Sequence, residues 1–520
     1  MTAHAVKSLP TSATGAFQQW LRGRLSTLTS SVVLTGAGLL AVFILLLALI
    51  QFATPDLAGN DGYYHIKIAQ VMREQGLRPA FPWLPLTVLN PAAYVDHHFL
   101  YHIFLIPFTF GDLRVGAKWA SVILPALTFL SGWLFLRSQR VSYATLWAIG
   151  FFAVSEAFLY RMSMPRAQSV SLLMLIVGLH LTLTGRYRWL LPLSFLYVWL
   201  YDAFPLMLIL VGTYVGARLL LEGKLDLKPL LYSGLGIMLG LLINPYFPEN
   251  LLFIYHHLLP KLTDATATSV GKEWYPYQTW TLVENSGPAL LLFVSAIFAL
   301  GLRERRINTA TATLLFLTVL FGFMLFKSRR FIEYFPAFVL LFGALAWAPL
   351  FKAWMQAKKW VGRDLPVVLT VIVLLASAWN IQQTQASLKD SKPFQRFATA
   401  STWLVTNTPA RSMVFQTDWD DFTRLYYYNT HNIYTVGLDP TYMQLYDADL
   451  YDLWIEISKG RVERPAATIA GKFGAGYVIT DLQHKGFLRE AEADPQLIER
   501  YRDDFAVVFE VVAQKEVPQK

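Results

Sequence analysis

Five short stretches of this 520-residue chain hold the residue types that bind charge or move protons. In NDGYYH at 60–65, Asp61 is flanked by Gly62 and aromatics a few residues after a long apolar run. A carboxylate at a membrane edge is suited to binding a metal or taking a proton from an acceptor group. The same residues also read as a helix start, with Asn60 or Asp61 capping YYHIKIAQVMREQ. In VDHHFLYH at 95–102, Asp96, His97, His98 and His102 are dense enough to suggest a metal site, with His98 and His102 at i, i+4 on one helical face. No Glu follows the first His, which argues against zinc hydrolysis. The other reading makes these histidines headgroup hydrogen-bonding neighbours, or acid–base and acceptor-positioning groups, at an interface.

Three later stretches add to the set. SVGKEWYPYQTW at 269–280 places Glu273 among Trp274, Tyr275, Tyr277 and Trp280. Aromatic faces beside a carboxylate suit a sugar, although an interfacial aromatic belt has the same composition. SRRFIEYFP at 328–336 carries Arg329 and Arg330, and guanidinium groups grip phosphate with two donors at once. A snorkelling interfacial arginine is the plainer alternative. TDWDDF at 417–422 gathers Asp418, Asp420 and Asp421 around Trp419, either as the mouth of a site or as a solvated acidic loop.

The elements that must position these residues are mostly apolar. The chain is 55% hydrophobic and only 15% charged, where a soluble domain carries about 25% charge. Eleven stretches are expected to span a membrane: Ser31 to Ala53, then 114–136, 141–158, 168–185, 188–203, 204–221, 229–246, 287–302, 308–327, 331–350 and 364–382. With the N-terminus cytoplasmic, every cytoplasmic loop carries Lys or Arg: RSQR, GRYR, EGKLDLK, RERR and KAWMQAKK. The loops 54–113, 159–167 and 247–286, the SRR turn and the C-terminal segment then face the other side. HHFLYHIFLIPF in the first of these is short for a span and suits a helix along the interface.

Of the 35 acidic and 44 basic residues, 19 and 15 fall in residues 384–520, so the net charge of +9 comes from the membrane part. Its basic residues sit at the ends of apolar runs and form no stripe, which excludes a nucleic-acid surface. Zero cysteines exclude a disulfide frame, Cys-ligated zinc and a thiol nucleophile. After Trp379 the pattern changes to apolar strands (SMVFQTD, NIYTVGL, AGYVITD, AVVFEVV) alternating with helical segments, an α/β domain outside the membrane. The expected organisation is a membrane domain over 1–383 and a soluble domain over 384–520.

These landmarks, in this order, resemble the GT-C superfamily of membrane glycosyltransferases, most of all the catalytic subunit of oligosaccharyltransferase. The resemblance implies a polytopic helical protein with a catalytic Asp in its first outer loop, a lipid-phosphate-linked sugar donor and a soluble outer domain. By the resemblance, Asp61 in DGYYH matches that Asp. SVGKEW resembles the motif of the long outer loop, with Glu273 the metal-side glutamate despite the inserted Lys272. Arg330-Phe331 resembles the element that engages the lipid phosphate, and Trp419-Asp420 matches part of the motif opening the soluble domain. The second outer loop departs from the family: YRMSMPRAQS at 160–169 holds no acid. Asp61 and Glu273 alone make a sparse shell for Mg2+ or Mn2+, and Arg166 emerges as a phosphate ligand in a cationic site.

The resulting expectation is an inverting transfer of a sugar or oligosaccharide from a polyprenyl-phosphate or polyprenyl-diphosphate donor to a protein, lipid or glycan acceptor. Asp61 orients or deprotonates the acceptor. Arg330, with Arg329 or Arg166, stabilises the departing phosphate. Glu273, Trp274, His65, His97 and His98 line the pocket, and Trp419 and Asp420 contact substrate. The alternatives are a metal-independent transferase using a polyprenyl-monophosphate sugar and a noncatalytic transporter of lipid-linked sugars. The short basic loops and compact outer domain point to a prokaryotic inner membrane with the C-terminal domain periplasmic or extracellular.

Overall fold

The computed structural model describes residues 31–263, 271–302, 306–357 and 359–512. The basic stretch 1–30, most of the RERR loop and Ser269 and Val270 of SVGKEW lie outside them. The chain enters as α1 (Ser31–Gln51), continues through α2 (Asp61–Gln75) and α3 (Phe99–Leu105), and crosses back as α4 (Leu113–Ser138). Both α1 and α4 are apolar and long enough to span a hydrocarbon core. Lipid offers little hydrophobic drive between helices, so their association rests on close packing. In α1, Leu39, Phe43, Leu47 and Ile50 form the buried stripe, and the Phe43 ring meets Phe129 of α4 edge-on at 6.0 Å. A Cβ on Gly132 of α4 would lie 2.5 Å from the Phe151 ring, so only glycine fits there.

Among the described residues, seven helices are long and apolar enough to cross a membrane, and they coincide with seven of the eleven expected spans. Besides α1 and α4 these are Pro205–Glu222, Thr279–Gly301, Thr309–Lys327, Phe335–Ala357 and Lys359–Lys389. The other four expected stretches are shorter helices or broken ones. Three become Gln168–Leu183, Leu190–Leu200 and Lys228–Leu242. The fourth, 141–158, divides into Ala144–Ile149 and Glu156–Met162 because Ser155 is extended and caps the second piece, its Oγ accepting from Phe158 N at 3.1 Å. Thr279–Gly301 is interrupted at Ser286, whose hydroxyl meets that of Ser155 at 2.9 Å. The two breaks are thereby fastened together. HHFLYHIFLIPF folds as α3 followed by a 3-10 turn, Ile106–Thr109, with Phe99, Leu100, Tyr101, His102 and Leu105 buried and Phe104 exposed.

The C-terminal part contains a five-stranded sheet of β1 (Met413–Gln416), β2 (Ile433–Tyr434), β3 (Tyr477–Asp481), β4 (Leu497–Arg502) and β5 (Ala506–Val511), ordered β2-β1-β3-β5-β4. β1 pairs in parallel with β2 and β3, while β5 is antiparallel to β3 and β4. β4 was not expected, since LIERYR leaves a single buried residue, Leu497, at its start and lies at the sheet edge. The last membrane helix runs through the expected boundary at 383/384 as far as Lys389.

One side of the sheet packs Phe415, Trp454, Phe473 and Phe487 into a core of its own. Val414, Phe422, Tyr434 and Val508 belong to a different core, shared with Tyr64, Ile68, Phe81 and Leu84 of the 54–113 loop. Backbone bonds tie the same parts: Tyr434 N donates to Trp83 O at 2.9 Å, and Val88 N donates to Tyr442 O at 3.0 Å. The start of α2 is therefore held from two sides. From the membrane side, buried Lys118 donates to the carbonyls of Gln51, Thr54 and Asp56 at 2.7, 2.9 and 2.6 Å, fixing the chain as it leaves α1.

Candidate functional site

Asp61 is the first residue of α2, and the expected side-chain cap does not form. Asn60 is engaged elsewhere. Its amide nitrogen donates to Asp420, and its oxygen accepts from Arg424 Nε at 3.0 Å. Asp61 is left at the helix start with its Oδ2 3.1 Å from Arg166 Nη2.

Glu273 lies at the centre of the arrangement. The short turn Lys272–Trp274 is docked by the SRR turn, where Ser328 Oγ donates to Glu273 O at 2.9 Å and Arg329 N donates to Tyr275 O at 3.0 Å. Three guanidinium groups converge on the Glu273 carboxylate. Arg161 reaches Oε2 at 2.8 Å, Arg166 contacts Oε2 at 3.0 Å and Oε1 at 3.3 Å, and Arg330 reaches Oε1 at 3.3 Å. Burial by itself would raise the Glu273 pKa, but Arg166, Arg161 and Arg330 outweigh it and hold the group well below the usual carboxylate range. Arg161 is further paired with Glu333, which is 1% exposed. Arg330 also donates to the Tyr201 hydroxyl, and its guanidinium lies 4.7 Å from the centre of the Trp274 ring.

Three arginines thus face three carboxylates: Asp61, Glu273 and Glu333. The early carboxylate, the mid-chain glutamate and the late arginine expected to meet do meet, through Arg166. On one flank is a cavity of about 410 Å³ lined by Glu156, Tyr160, Arg161, Glu273, Asn285 and Arg329, among others. Arg329 touches no carboxylate of the cluster. Its Nε donates to Pro276 O at 3.1 Å and its guanidinium covers Tyr277 at 5.1 Å.

The histidines lie on the other flank. His98 stacks on Tyr201 with ring centres 5.4 Å apart, and His97 stacks on Phe253 at 4.9 Å beside His257. His65 is buried against His102, His65 Nδ1 to His102 Nε2 being 2.8 Å. Trp419 packs on the sheet's own core, away from this cluster, whereas Asp420 reaches back to Asn60. Burial, with Asp61 and Asp418 adding to it, pushes Asp420 up to about 6.

The donor set also tests the divalent ion expected between Asp61 and Glu273. Mg2+ and Mn2+ take near-octahedral shells of oxygen. Here the two carboxylates are spanned by Arg166, and among the described residues no three His, Asp or Glu side chains stand together as a metal set. The residues as arranged do not fit the ion. The physical reason is Arg166, whose guanidinium already occupies the space between the two carboxylates.

Arg161, Glu333 and Tyr201 were missed at the sequence level. Arg161 and Glu333 carried a usable signal: each is a further charge in a stretch already singled out for another residue, Arg161 beside Arg166 in YRMSMPRAQS and Glu333 as the single acid of SRRFIEYFP. Tyr201 had none, being one of 25 tyrosines.

No family model matches this chain, and none of the curated proteins matches it. Its likenesses are to solved structures. The oligosaccharyltransferase AglB of Archaeoglobus fulgidus, in complex with an inhibitory peptide and a dolichol-phosphate, superposes with a TM-score of 0.62 at 14% identity, over 93% of this chain and 75% of that one. ArnT of Cupriavidus metallidurans bound to undecaprenyl phosphate gives a TM-score of 0.54 at 17% identity, over 94% of this chain and 100% of that one. The mycobacterial arabinofuranosyltransferase AftD gives 0.51 at 14% identity, over 92% of this chain and 42% of that one. All three are GT-C proteins, and this chain is an integral membrane protein with their fold.

Proposed function

We propose that this GT-C-fold protein is a glycosyltransferase that moves a sugar or oligosaccharide from a polyprenyl-phosphate or polyprenyl-diphosphate carrier to an acceptor. The observation that carries the reading is the convergence of Arg161, Arg166 and Arg330 on Glu273, with Asp61 joined to it through Arg166. Catalysis of phosphate departure depends on donors already aimed where charge grows, in a place shielded from water. These guanidinium groups meet that description. They are held by carboxylates and aromatic rings before any substrate arrives, and Arg offers paired donors to phosphate oxygens.

In this reading the carrier phosphate lies against Arg330 and Arg166, and Asp61 orients the acceptor on the opposite side of the anomeric carbon. The acceptor's lone pair forms the new bond as the anomeric C–O bond breaks. The bonding electrons leave on the phosphate oxygen, and the configuration inverts. Glu273 keeps the three cations in register. Trp274, Tyr201, His97 and His98 wall the pocket, and Asp420 braces Asp61 through Asn60. The two named carriers of the solved relatives, dolichol-phosphate in AglB and undecaprenyl phosphate in ArnT, support a lipid-linked donor. The acceptor is a protein, lipid or glycan. The topology that goes with this reading has residues 1–383 as the membrane part, a cytoplasmic N-terminus, and Asp61 with the domain from 384 onward on the periplasmic or extracellular side of a prokaryotic inner membrane.

One observation favours the version that needs no divalent ion: Arg166, not an oxygen ligand, lies between Asp61 and Glu273. Transfer by the reconstituted protein should therefore withstand EDTA. The decisive test is Asp61→Asn in membranes supplied with the lipid-linked donor, with turnover expected to fall by about 100-fold or more. Retention of full transfer by that variant would end the proposal. Density for a lipid phosphate beside Arg330 would identify the donor face directly.

A further inference from the structure

His65 lies one turn along α2 from Asp61, and residues four apart on a helix share a face. It is nearly fully buried, in surroundings of Tyr64, Tyr101 and His98, whose ring centres lie 5.4, 5.4 and 4.9 Å from its own. Its Nδ1 is 2.8 Å from His102 Nε2, and His102 Nδ1 is 2.7 Å from Asp96 Oδ2. His102 and Asp96 are buried too, and the other Asp96 oxygen accepts from His98 N at 3.0 Å.

The proton positions follow from the chemistry of the three groups. An ionised carboxylate only accepts, so His102 carries its proton on Nδ1. A neutral imidazole has one N–H, so His102 Nε2 is a lone pair and accepts from His65 Nδ1–H. His65 Nε2 is then also a lone pair. Among the described residues nothing bonds to that nitrogen. Burial, with His102, Arg166 and His97 adding to it, holds the His65 pKa well below its ordinary value and keeps the imidazole neutral at physiological pH. A chain of three buried polar groups ending in an unused acceptor, one turn from Asp61, is costly as mere packing. It is what a proton-accepting site requires.

We infer that Asp96, His102 and His65 form a relay whose open end, His65 Nε2, accepts the proton of the acceptor's nucleophilic hydroxyl during transfer; this rests on the transferase reading above. The O–H proton passes to His65 Nε2 as the hydroxyl oxygen bonds the anomeric carbon and the anomeric C–O electrons leave with the phosphate. The imidazolium charge is offset by Asp96 through His102, and Asp61, held by Arg166, orients the acceptor. The groups facing His65 are Tyr64 on its own helix, His97, His98, Tyr101 and His102 from the 95–102 stretch, and Arg166 from the loop after Glu156–Met162. Arg166, the one fixed cation among them, opposes protonation of the resting enzyme.

The test uses the full-length protein in lipid nanodiscs. His65→Gln, which retains a polar side chain but cannot take the proton, is expected to lower kcat by about 100-fold or more with KM nearly unchanged, and to abolish the acid limb of the wild-type kcat/KM profile. Asp96→Asn is expected to lower kcat by about 10-fold or more and to shift that limb. Nitrogen-15 histidine spectra, assigned by comparison with His65→Gln, should show wild-type His65 protonated on Nδ1. Near-normal turnover in His65→Gln, an unaltered acid limb, or the Nε2–H tautomer would each overturn the inference. Wild-type protein that transfers nothing from polyprenyl-linked donors would sink the transferase reading instead, and the relay's tautomer would still be readable in the spectra.

Discussion

Two clusters in this molecule share one motif, arginine between carboxylates, and use it in opposite ways. At the membrane rim one carboxylate, Glu273, collects three guanidinium groups. In the sheet domain one guanidinium, Arg396, is divided between two carboxylates, Asp421 at 3.1 Å and Asp481 at 2.8 Å, and Asp481 also holds His484 at 2.6 Å. The first cluster sets three cations around its central acid, with Asp61 and Glu333 balancing them on the outside, and that acid is fixed in the charged form. The second is short of cations. Burial, relieved in part by Arg396 but reinforced by Asp418, pushes Asp421 up to about 7, while hydrogen bonds from His484 and Arg396 overcome burial and hold Asp481 below the usual range. An acid ringed by guanidinium groups keeps its charge, whereas an acid-rich cluster titrates near neutrality. Asn60 joins them, touching Asp420 on one side and preceding Asp61 on the other.

The largest effect that would break this comparison is at the rim. Arg330→Ala should lower transfer by 100-fold or more, on the scale of about 3–4 kcal/mol for losing one preorganised donor, with the melting temperature little changed because Arg161 and Arg166 still neutralise Glu273. Kinetics beside a thermal melt would check it, and an equal loss of stability and turnover would make the rim cluster structural. Arg396→Met should do the reverse. It strands Asp421 and Asp481 in a buried place and should cost roughly 3–5 kcal/mol of stability, measured by denaturant unfolding of the full chain.

The pH response should separate the clusters further. Asp420 and Asp421 are raised above their unfolded values, so between about pH 4 and 7 the folded state holds protons that the unfolded chain has released. Lowering the pH from 8 to 5 should therefore raise the melting temperature. His484, raised by Asp481 against the pull of burial, acts in the same direction. Below about pH 4 the trend should reverse, as Asp481 loses the charge that its partners stabilise. Arg396→Met should alter this profile, and Arg330→Ala should leave it in place.

A smaller effect is expected at the join. Asn60→Ala removes partners from Asp420 and Arg424 and should cost roughly 1–3 kcal/mol, with transfer falling less than in Asp61→Asn. The smallest belongs to Arg329, whose contacts are a carbonyl and a ring: Arg329→Ala should reduce transfer by less than about threefold, equivalent to well under 1 kcal/mol.

Much of this architecture was legible in the residues. Long apolar runs must be helices in lipid, because every backbone donor and acceptor has to be satisfied within the segment. The four expected spans that are shorter or broken helices take that form for local reasons, as where Ser155 caps a helix inside 141–158. Asp61, Glu273, Arg166 and Arg330 were visible as charges set among aromatic and apolar residues in short motifs between apolar runs. Arg161 and Glu333 lay in stretches already singled out, but nothing local showed that they pair with each other, and the acid-rich TDWDDF stretch did not reveal that Trp419 turns to the sheet core while Asp420 turns to Asn60.

By itself, then, the sequence determined which segments form long apolar helices, that an α/β pattern follows them and which connecting stretches carry charge, since each of these depends on neighbours within a few turns of chain. The tertiary structure alone decided that Arg166 stands between Asp61 and Glu273 where a metal ion was expected, and that His65 ends a relay begun at Asp96. Ion pairing falls off within a few ångströms, and its partners here are as many as 172 positions apart. Helix rotation and loop docking, which no local spacing records, choose which guanidinium meets which carboxylate.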